Sequence, residues 1–149
     1  MDSKKILITI GIPASGKTTF AKELVSQGWK RVNKDDLRWM LDNYVYSKDN
    51  EKFIVELRNY IIRSLILQGH NIVIDDTNIN PQNERDIRNI VKLMNNESIE
   101  SGQKYQYEVE TKIFDVPLNI CIERNSKREN PVPEKVIRTM YKQFRALYN

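Results

Sequence analysis

The chain has 149 residues, of which 40% are hydrophobic and 30% charged, a composition typical of one globular domain with a sizeable core. Its apolar runs are much shorter than the roughly 18 residues that a membrane-spanning helix needs, and it begins without the pattern of a secretory signal. We therefore expect a cytoplasmic protein with no membrane partner. A single cysteine, Cys121, and a single histidine exclude a disulfide framework and argue against a zinc site.

The first predicted elements enclose a phosphate-binding loop. Residues 4–10 form a β-branched run that predicts a buried strand, and residues 19–25 place apolar side chains on one face of a helix. Between them, residues 11–18 match the pattern G-x-x-x-x-G-K-T. In this context the glycines let backbone N–H groups surround a phosphate, and the helix N-terminus adds a favourable dipole. The pattern therefore predicts a nucleotide-phosphate site.

Two residues of this loop have specific expected roles. Lys17 reaches the β- and γ-phosphates of ATP, and the Thr18 hydroxyl ligates Mg²⁺. The predicted nucleotide-binding residues of the loop are Gly11, Pro13, Ala14, Ser15, Gly16, Lys17, Thr18 and Thr19.

Strand and helix patterns then alternate along the chain. Residues 29–33 predict a short strand, and Asp35 and Asp36 open a helix in which either carboxylate is a candidate N-cap. The remaining predicted elements are a long amphipathic helix at 51–68, a buried strand at 71–75, a helix from Pro81 to about residue 94, a polar connection at 95–103, a strand at 105–116, a short helix at 117–123, a basic loop at 124–131 and a last helix from Pro133.

This alternation indicates an α/β fold. We expect the three-layer sandwich of P-loop kinases, with a parallel sheet of four or five strands, helices on both faces, and one domain over residues 1–149. Ligands of such sheets bind beyond the carboxyl ends of the strands. Three polar groups fall there, at residues 11–18, 33–38 and 75–78, and we expect them to form one active site.

These strand ends supply the groups that a phosphoryl transferase needs. Asp35 is a plausible acceptor for the proton of an attacking hydroxyl, and Arg38 lies on the same helix face, where it can hold a phosphate of the acceptor. Asp76, with Thr77 and Asn78, is expected beside the acceptor, and the Asp76 carboxylate is also expected near the metal, through water, or near an active-site arginine.

The C-terminal part of the chain is basic. Residues 124–145 carry seven basic and two acidic side chains, which favours a phosphate-rich ligand, although Lys135 and Lys142 equally fit a solvated helix face. We expect residues 124–133 to form a lid in which Arg124 and Arg128 neutralise charge that develops on the donor, with Arg128 taking part in catalysis alongside Lys17.

Several blocks of the chain resemble the kinase domain of the bacteriophage 5′-polynucleotide kinases. They are Asn33-Lys34-Asp35-Asp36-Leu37-Arg38, Asp76-Thr77-Asn78-Ile79-Asn80-Pro81, Phe114-Asp115-Val116-Pro117, Arg124-Asn125-Ser126-Lys127-Arg128 and Val136-Ile137-Arg138-Thr139-Met140-Tyr141-Lys142. The resemblance implies ATP- and Mg²⁺-dependent phosphorylation of a 5′-hydroxyl end of DNA or RNA, in a host cytoplasm if the protein is phage-encoded. It implies that Asp35 is the general base, that Arg38 binds acceptor phosphate, that Asp76 supports the site and that Arg128 is a lid residue.

The chain also departs from that family. Ala14 replaces a glycine common in the loop, the lid is shorter and more acidic, and nothing in the sequence encodes a phosphatase domain, so we expect kinase activity alone.

Two other functions remain open. One is a kinase of a small metabolite or nucleoside. The other is a nucleotide-dependent switch, since residues 33–36 match N-K-x-D, although this motif follows the phosphate loop too soon to resemble a GTPase. The sequence leaves the oligomeric state open.

Overall fold

The computed structural model describes residues 2–97 and 102–148. These residues form a parallel sheet of four strands, β1 (Ser3–Ile10), β2 (Lys30–Val32), β3 (Ile72–Ile74) and β4 (Gln106–Ile113), in the order β2-β3-β1-β4. The helices are α1 (Lys17–Ser26), α2 (Lys34–Asp42), α3 (Lys48–Gln68), α4 (Pro81–Asn96), α5 (Leu118–Ser126) and α6 (Glu134–Tyr148). The predicted P-loop kinase sandwich is confirmed.

The core is built on the central strand β1. Its side chains Ile6, Ile8 and Ile10 are fully buried, and β1 pairs in parallel with β3 on one side and β4 on the other. Isoleucine suits this position because a β-branched side chain packs well on a pleated surface that is covered on both faces. Apolar residues of α3, α4 and α6 complete the same cluster. All four strands therefore end at one edge of the sheet.

Two predicted boundaries at the start of helices are wrong. The N-cap of α2 is Asn33, whose side-chain oxygen accepts the backbone N–H of Asp36 at 2.9 Å, and neither Asp35 nor Asp36 caps the helix. Both carboxylates pair with arginines instead. Helix α3 begins at Lys48 and not at residue 51, because Ser47 caps it by accepting the backbone N–H of Asn50.

Two further boundaries lie near the basic segment and near the polar connection. Helix α5 continues through Ser126, so Arg124 is helical and the connection to α6 begins at Lys127, three residues later than the predicted lid loop. Helix α4 extends to Asn96, and residues 98–101 of the predicted connection lie outside the described residues. Within the described parts of the chain, no helix is long and apolar enough to cross a membrane.

Candidate active site

The loop between β1 and α1 has the conformation of an anion cradle. A Cβ atom on Gly11 would lie 2.8 Å from Ser15 Oγ and 3.0 Å from Phe114 Cβ, so this position has no room for a side chain. Gly16, at φ 100°, caps α1 without a side-chain hydrogen bond, which leaves the first N–H groups of the helix for a ligand. Ala14, at φ 64°, adopts the left-handed conformation that a glycine accepts more readily.

Lys17 is buried at the centre of this loop. Its Nζ donates to the backbone oxygen of Ile12 at 2.7 Å and to Ser15 Oγ at 3.3 Å. Burial lowers the pKa of Lys17 to about 8, and the nearby Asp75 carboxylate opposes that change. Burial makes the charged form of Lys17 costly, and an anionic ligand would offset that cost. The phosphates of a nucleotide would be such a ligand.

A cleft of about 630 Å³ opens beside the loop. It is lined by Ala14, Ser15, Gly16, Thr18, Thr19, Phe20, Glu23, Val116, Arg124 and Arg128. Arg124 reaches the loop from α5 and donates to the Ala14 backbone oxygen at 3.5 Å, across 110 positions of sequence. The charge of Arg128 contributes to lowering the pKa of Lys17, which places the two cations within electrostatic range of each other. Predicted donor residues from both ends of the chain therefore share one cleft, although Gly11, Pro13 and Lys17 do not line it.

The connection between α5 and α6 is held by Asn125. This buried side chain donates to the backbone oxygen of Val132 at 2.7 Å and accepts the backbone N–H of the same residue at 3.0 Å. The two hydrogen bonds bring the start and the end of residues 127–133 together. The lid segment is therefore a short, clasped loop that begins one turn after Arg124.

Asp75 and Asp76 follow β3, with different surroundings. The Oδ2 atom of Asp75 accepts from Arg31 Nε at 2.7 Å, and Arg31 also pairs with Asp36. The Oδ1 atom of Asp76 accepts the backbone N–H of Lys34 at 2.8 Å, whereas its Oδ2 atom is buried with no donor among the described residues. Burial raises the pKa of Asp76, and the positive charges of Lys34 and Arg58 oppose this rise. Asp75 Oδ1 is likewise buried with no donor among the described residues, so each of these two carboxylates keeps one oxygen for a ligand.

Asp35 and Arg38 form an ion pair on the first turns of α2. Arg38 Nη1 lies 2.5 Å from Asp35 Oδ1, while its Nε and Nη2 atoms both donate to Glu51 of α3. Burial would lower the pKa of Arg38, but the two carboxylates raise it overall. Tyr44 donates its hydroxyl to the same Asp35 oxygen at 2.9 Å. Burial and the Asp35 charge raise the pKa of Tyr44 to about 12, so the phenol keeps its proton at neutral pH.

The three strand ends are joined by direct contacts. The backbone N–H of Gly11 donates to the Thr77 backbone oxygen at 3.0 Å, and the amide of Asn78 donates to the backbone oxygen of Thr9 at 2.8 Å. The charge of Asp76 acts on Lys17, and the charge of Asp35 acts in turn on Asp76. The cradle, the buried carboxylate and the Asp35–Arg38 pair therefore lie at the same edge of the sheet, as the sequence led us to expect.

The family of the chain is identified by a match that covers almost its whole length. A family model of AAA domains, AAA_33, matches residues 6–147. The chain belongs to this family.

Two curated relatives of this AAA domain are kinases by name. The L-seryl-tRNA(Sec) kinase of Methanococcus maripaludis is 30% identical over 144 residues, which are 93% of this chain and 52% of the relative. A protein of Autographa californica nuclear polyhedrosis virus, named as a bifunctional polynucleotide kinase/RNA ligase, is 32% identical over 167 residues, which are 99% of this chain and 22% of the relative. The chain thus spans about half of the length of the first relative and less than a quarter of the second.

A solved structure of the Pnkp1/Rnl/Hen1 RNA repair complex has the same fold as this AAA domain. One of its chains matches with a TM-score of 0.75 and 24% identity, over 98% of this chain and 45% of that chain. The AAA domain therefore has the P-loop kinase fold, and this fold implies ATP as the phosphate donor.

The residues of this AAA domain fit a magnesium ion. Mg²⁺ prefers oxygen ligands and keeps several waters, with one or two protein groups and the substrate phosphates completing its shell. Thr18 lies in the first turn of α1, and the unpartnered Oδ2 atom of Asp76 lies at the same edge of the sheet. No three His, Cys, Asp or Glu side chains in residues 2–97 and 102–148 form a metal site by themselves. Such a site would hold the ion only together with a nucleotide.

Sequence reasoning missed three residues of the AAA domain that contact the predicted site. Glu51 holds Arg38 from another helix, Tyr44 donates to Asp35, and the backbone of Lys34 binds Asp76. The i,i+3 spacing made the Asp35–Arg38 pair predictable, whereas nothing in the local sequence links Glu51 or Tyr44 to it. The amide of Asn78, predicted at the acceptor, donates to backbone oxygens in the interior, so its visible role is to brace the loop.

Proposed function

We propose that the chain is an ATP-dependent polynucleotide kinase domain that transfers the γ-phosphate to the 5′-hydroxyl end of DNA or RNA. The observation that carries this proposal is the Asp35–Arg38 pair. It places a carboxylate and a guanidinium side by side at the sheet edge that also holds the phosphate cradle. A carboxylate activates a hydroxyl, and a guanidinium recognises a phosphate, so the pair suits an acceptor that carries both groups.

In the proposed reaction, Asp35 accepts the proton of the 5′-hydroxyl. Its Oδ1 atom is occupied by Arg38 and Tyr44, and no described residue donates to Oδ2, which is the atom we assign to the proton. As the hydroxyl oxygen bonds to the γ-phosphorus, the bond from that phosphorus to the β–γ bridging oxygen breaks and ADP leaves. Lys17, Arg124 and Arg128 neutralise the charge on the transferring group.

Thr18 and, through water, Asp76 would hold a Mg²⁺ ion, which would offset the negative charge of the donor phosphates. The remaining assignments of the site are proposals as well. Arg38 would contact the acceptor phosphate that follows the terminal nucleoside. We further propose that the described elements act as one domain, because a single core connects β1 with α3, α4 and α6.

A nucleic-acid acceptor has support from two sides. The names of both curated relatives include a polynucleotide or a tRNA, and residues 124–145 of this chain carry an excess of five positive charges. Phosphate-backbone contacts of this kind make acceptor use sensitive to salt. A kinase of a small metabolite or nucleoside would lack that dependence.

The test is transfer of labelled γ-phosphate from ATP to a short 5′-hydroxyl oligonucleotide, in DNA and RNA versions. A nucleoside 3′-phosphate and a plain nucleoside serve as alternative acceptors. We expect label on the 5′ ends of the oligonucleotides, with a KM that rises with salt. Label on the mononucleosides alone would identify a small-molecule kinase, and ATP binding without any transfer would identify a switch.

A further inference from the structure

An exposed aromatic pair lies beside the predicted general base. The ring of Trp39, on α2, and the ring of Tyr44, just after α2, have centroids 5.2 Å apart with a tilt of 40°. Trp39 is 43% exposed and Tyr44 is 41% exposed, so both rings keep a large free surface. Exposed aromatic rings at a polar site indicate a ligand with a flat face.

The pair is connected directly to Asp35. The hydroxyl of Tyr44 donates to Asp35 Oδ1 at 2.9 Å, and the guanidinium carbon of Arg38 lies 5.8 Å from the Tyr44 ring centroid. The aromatic surface therefore begins one hydrogen bond away from the carboxylate that would hold the acceptor hydroxyl. A group covalently attached close to that hydroxyl would reach the rings.

The backbone holds Tyr44 in an unfavourable conformation. Asn43 and Tyr44 have φ values of 49° and 64°, both in the left-handed region. Asparagine tolerates this conformation as a helix C-cap, but a bulky aromatic residue does so rarely. The backbone N–H of Tyr44 donates to the Arg38 oxygen at 3.1 Å, which fixes the turn. Backbone strain of this kind clusters at active sites and ligand clamps.

We propose that Trp39 and Tyr44 form a stacking site for the terminal nucleobase of the acceptor. This inference rests on the proposed function, because Asp35 must receive the 5′-hydroxyl. In a 5′-terminal nucleoside the hydroxyl and the base are carried by one ribose, so the hydroxyl lies at Asp35 when the base lies on the rings. Every base has a flat π-face, so the site accepts all four bases and binds an acceptor without a base more weakly.

The first test uses tryptophan fluorescence. The chain has two tryptophans, so a Trp29→Phe protein reports on Trp39 alone. This protein is titrated with a 5′-hydroxyl trinucleotide and with the same oligonucleotide carrying an abasic 5′-terminal residue. We expect quenching by the first, and a Kd about tenfold higher for the second. Equal quenching and equal Kd for both oligonucleotides would overturn the proposal.

The second test removes the ring. In steady-state assays, Trp39→Ala should raise the KM of the normal acceptor about tenfold, to the value of the abasic acceptor, and leave the abasic KM unchanged. Trp39→Phe, which retains a flat ring, should restore most of the discrimination. Tyr60→Ala is the matched control, because Tyr60 is an exposed aromatic residue of α3 outside the pair. Thermal unfolding of each variant shows whether it is folded.

Four results would count against the stacking site. An equal rise in the KM of the normal and the abasic acceptor in Trp39→Ala would indicate general damage to the protein and not the loss of a stacking site. A Trp39→Ala protein that changes from dimer to monomer in solution with unchanged acceptor KM would show that the rings join two copies of the chain. Phosphorylation of normal and abasic ends with equal KM would leave the proposed kinase intact and remove the stacking site, whereas no binding and no transfer to either would refute both.

Discussion

The backbone N–H of Lys34 donates to Asp76 Oδ1 at 2.8 Å, so the first residue of α2 is bound to the end of β3. Helix α2 carries Asp35 and Arg38. This hydrogen bond therefore sets the position of both side chains relative to β3. The acceptor side of the site is thereby fixed to the sheet. In the proposed function Asp76 would therefore have two tasks, since Oδ1 binds the Lys34 N–H and Oδ2 would face the metal.

Replacing Asp76 separates these tasks. Asp76→Asn keeps an oxygen for the Lys34 N–H, so we expect a protein that is nearly as stable as the wild type but phosphorylates poorly. Asp76→Ala leaves a buried N–H without an acceptor, and we expect it to lower the free energy of unfolding by about 1–3 kcal/mol. Urea unfolding of both variants measures the difference. Equal loss of stability in the two would contradict a structural role for the hydrogen bond.

Asp35→Asn tests the general base. The amide still accepts from Arg38 and Tyr44 but cannot take a proton, so we expect unchanged ATP affinity and a kcat reduced by about 10²- to 10⁴-fold. Asp36→Asn is the matched control, because the Asp36 side chain pairs with Arg31 and not with the Asp35 cluster. Near-normal turnover of Asp35→Asn would refute its assignment.

The P-loop and the sheet were predictable because their signals are local. The loop pattern occupies consecutive positions, and runs such as residues 72–74 are buried on both faces and are therefore continuously apolar. The meeting of three polar groups also followed from sequence, since parallel strands end at the same edge. Local signals were sufficient for the position of the site.

The errors have long-range causes. Either aspartate at the start of α2 is a good N-cap in isolation, but Arg31 and Arg38 pair with both carboxylates, and Asn33 caps the helix instead. Helix α5 passes Arg124 because Asn125 is held by Val132, seven positions later. These hydrogen-bond and ion-pair partners are brought together by the tertiary fold, so a short stretch of sequence does not reveal them.

Tyr44→Phe tests the orientation of Asp35. The variant keeps the ring and loses only the hydrogen bond to Asp35, whose net worth of about 0.5–1.5 kcal/mol corresponds to a roughly 2- to 12-fold fall in kcat. The acceptor KM should stay constant, since the ring remains. Tyr46→Phe is the control, because the exposed Tyr46 hydroxyl has no hydrogen-bond partner in the described part of the chain. A fall in kcat in both variants would point to a general effect.

Arg38→Ala tests acceptor-phosphate recognition. Asp35 and Glu51 engage Nη1, Nε and Nη2 of Arg38, so an acceptor phosphate would use the hydrogens that remain on the two Nη atoms. A hydrogen bond to a charged group contributes about 1.5–3 kcal/mol, so we expect the KM of a nucleoside 3′-phosphate to rise at least tenfold, and that of a plain nucleoside to change much less. Steady-state kinetics with both acceptors measures this split. An equal loss of activity with both acceptors would mean that Arg38 acts only by orienting Asp35. Another cationic side chain would then bind the acceptor phosphate.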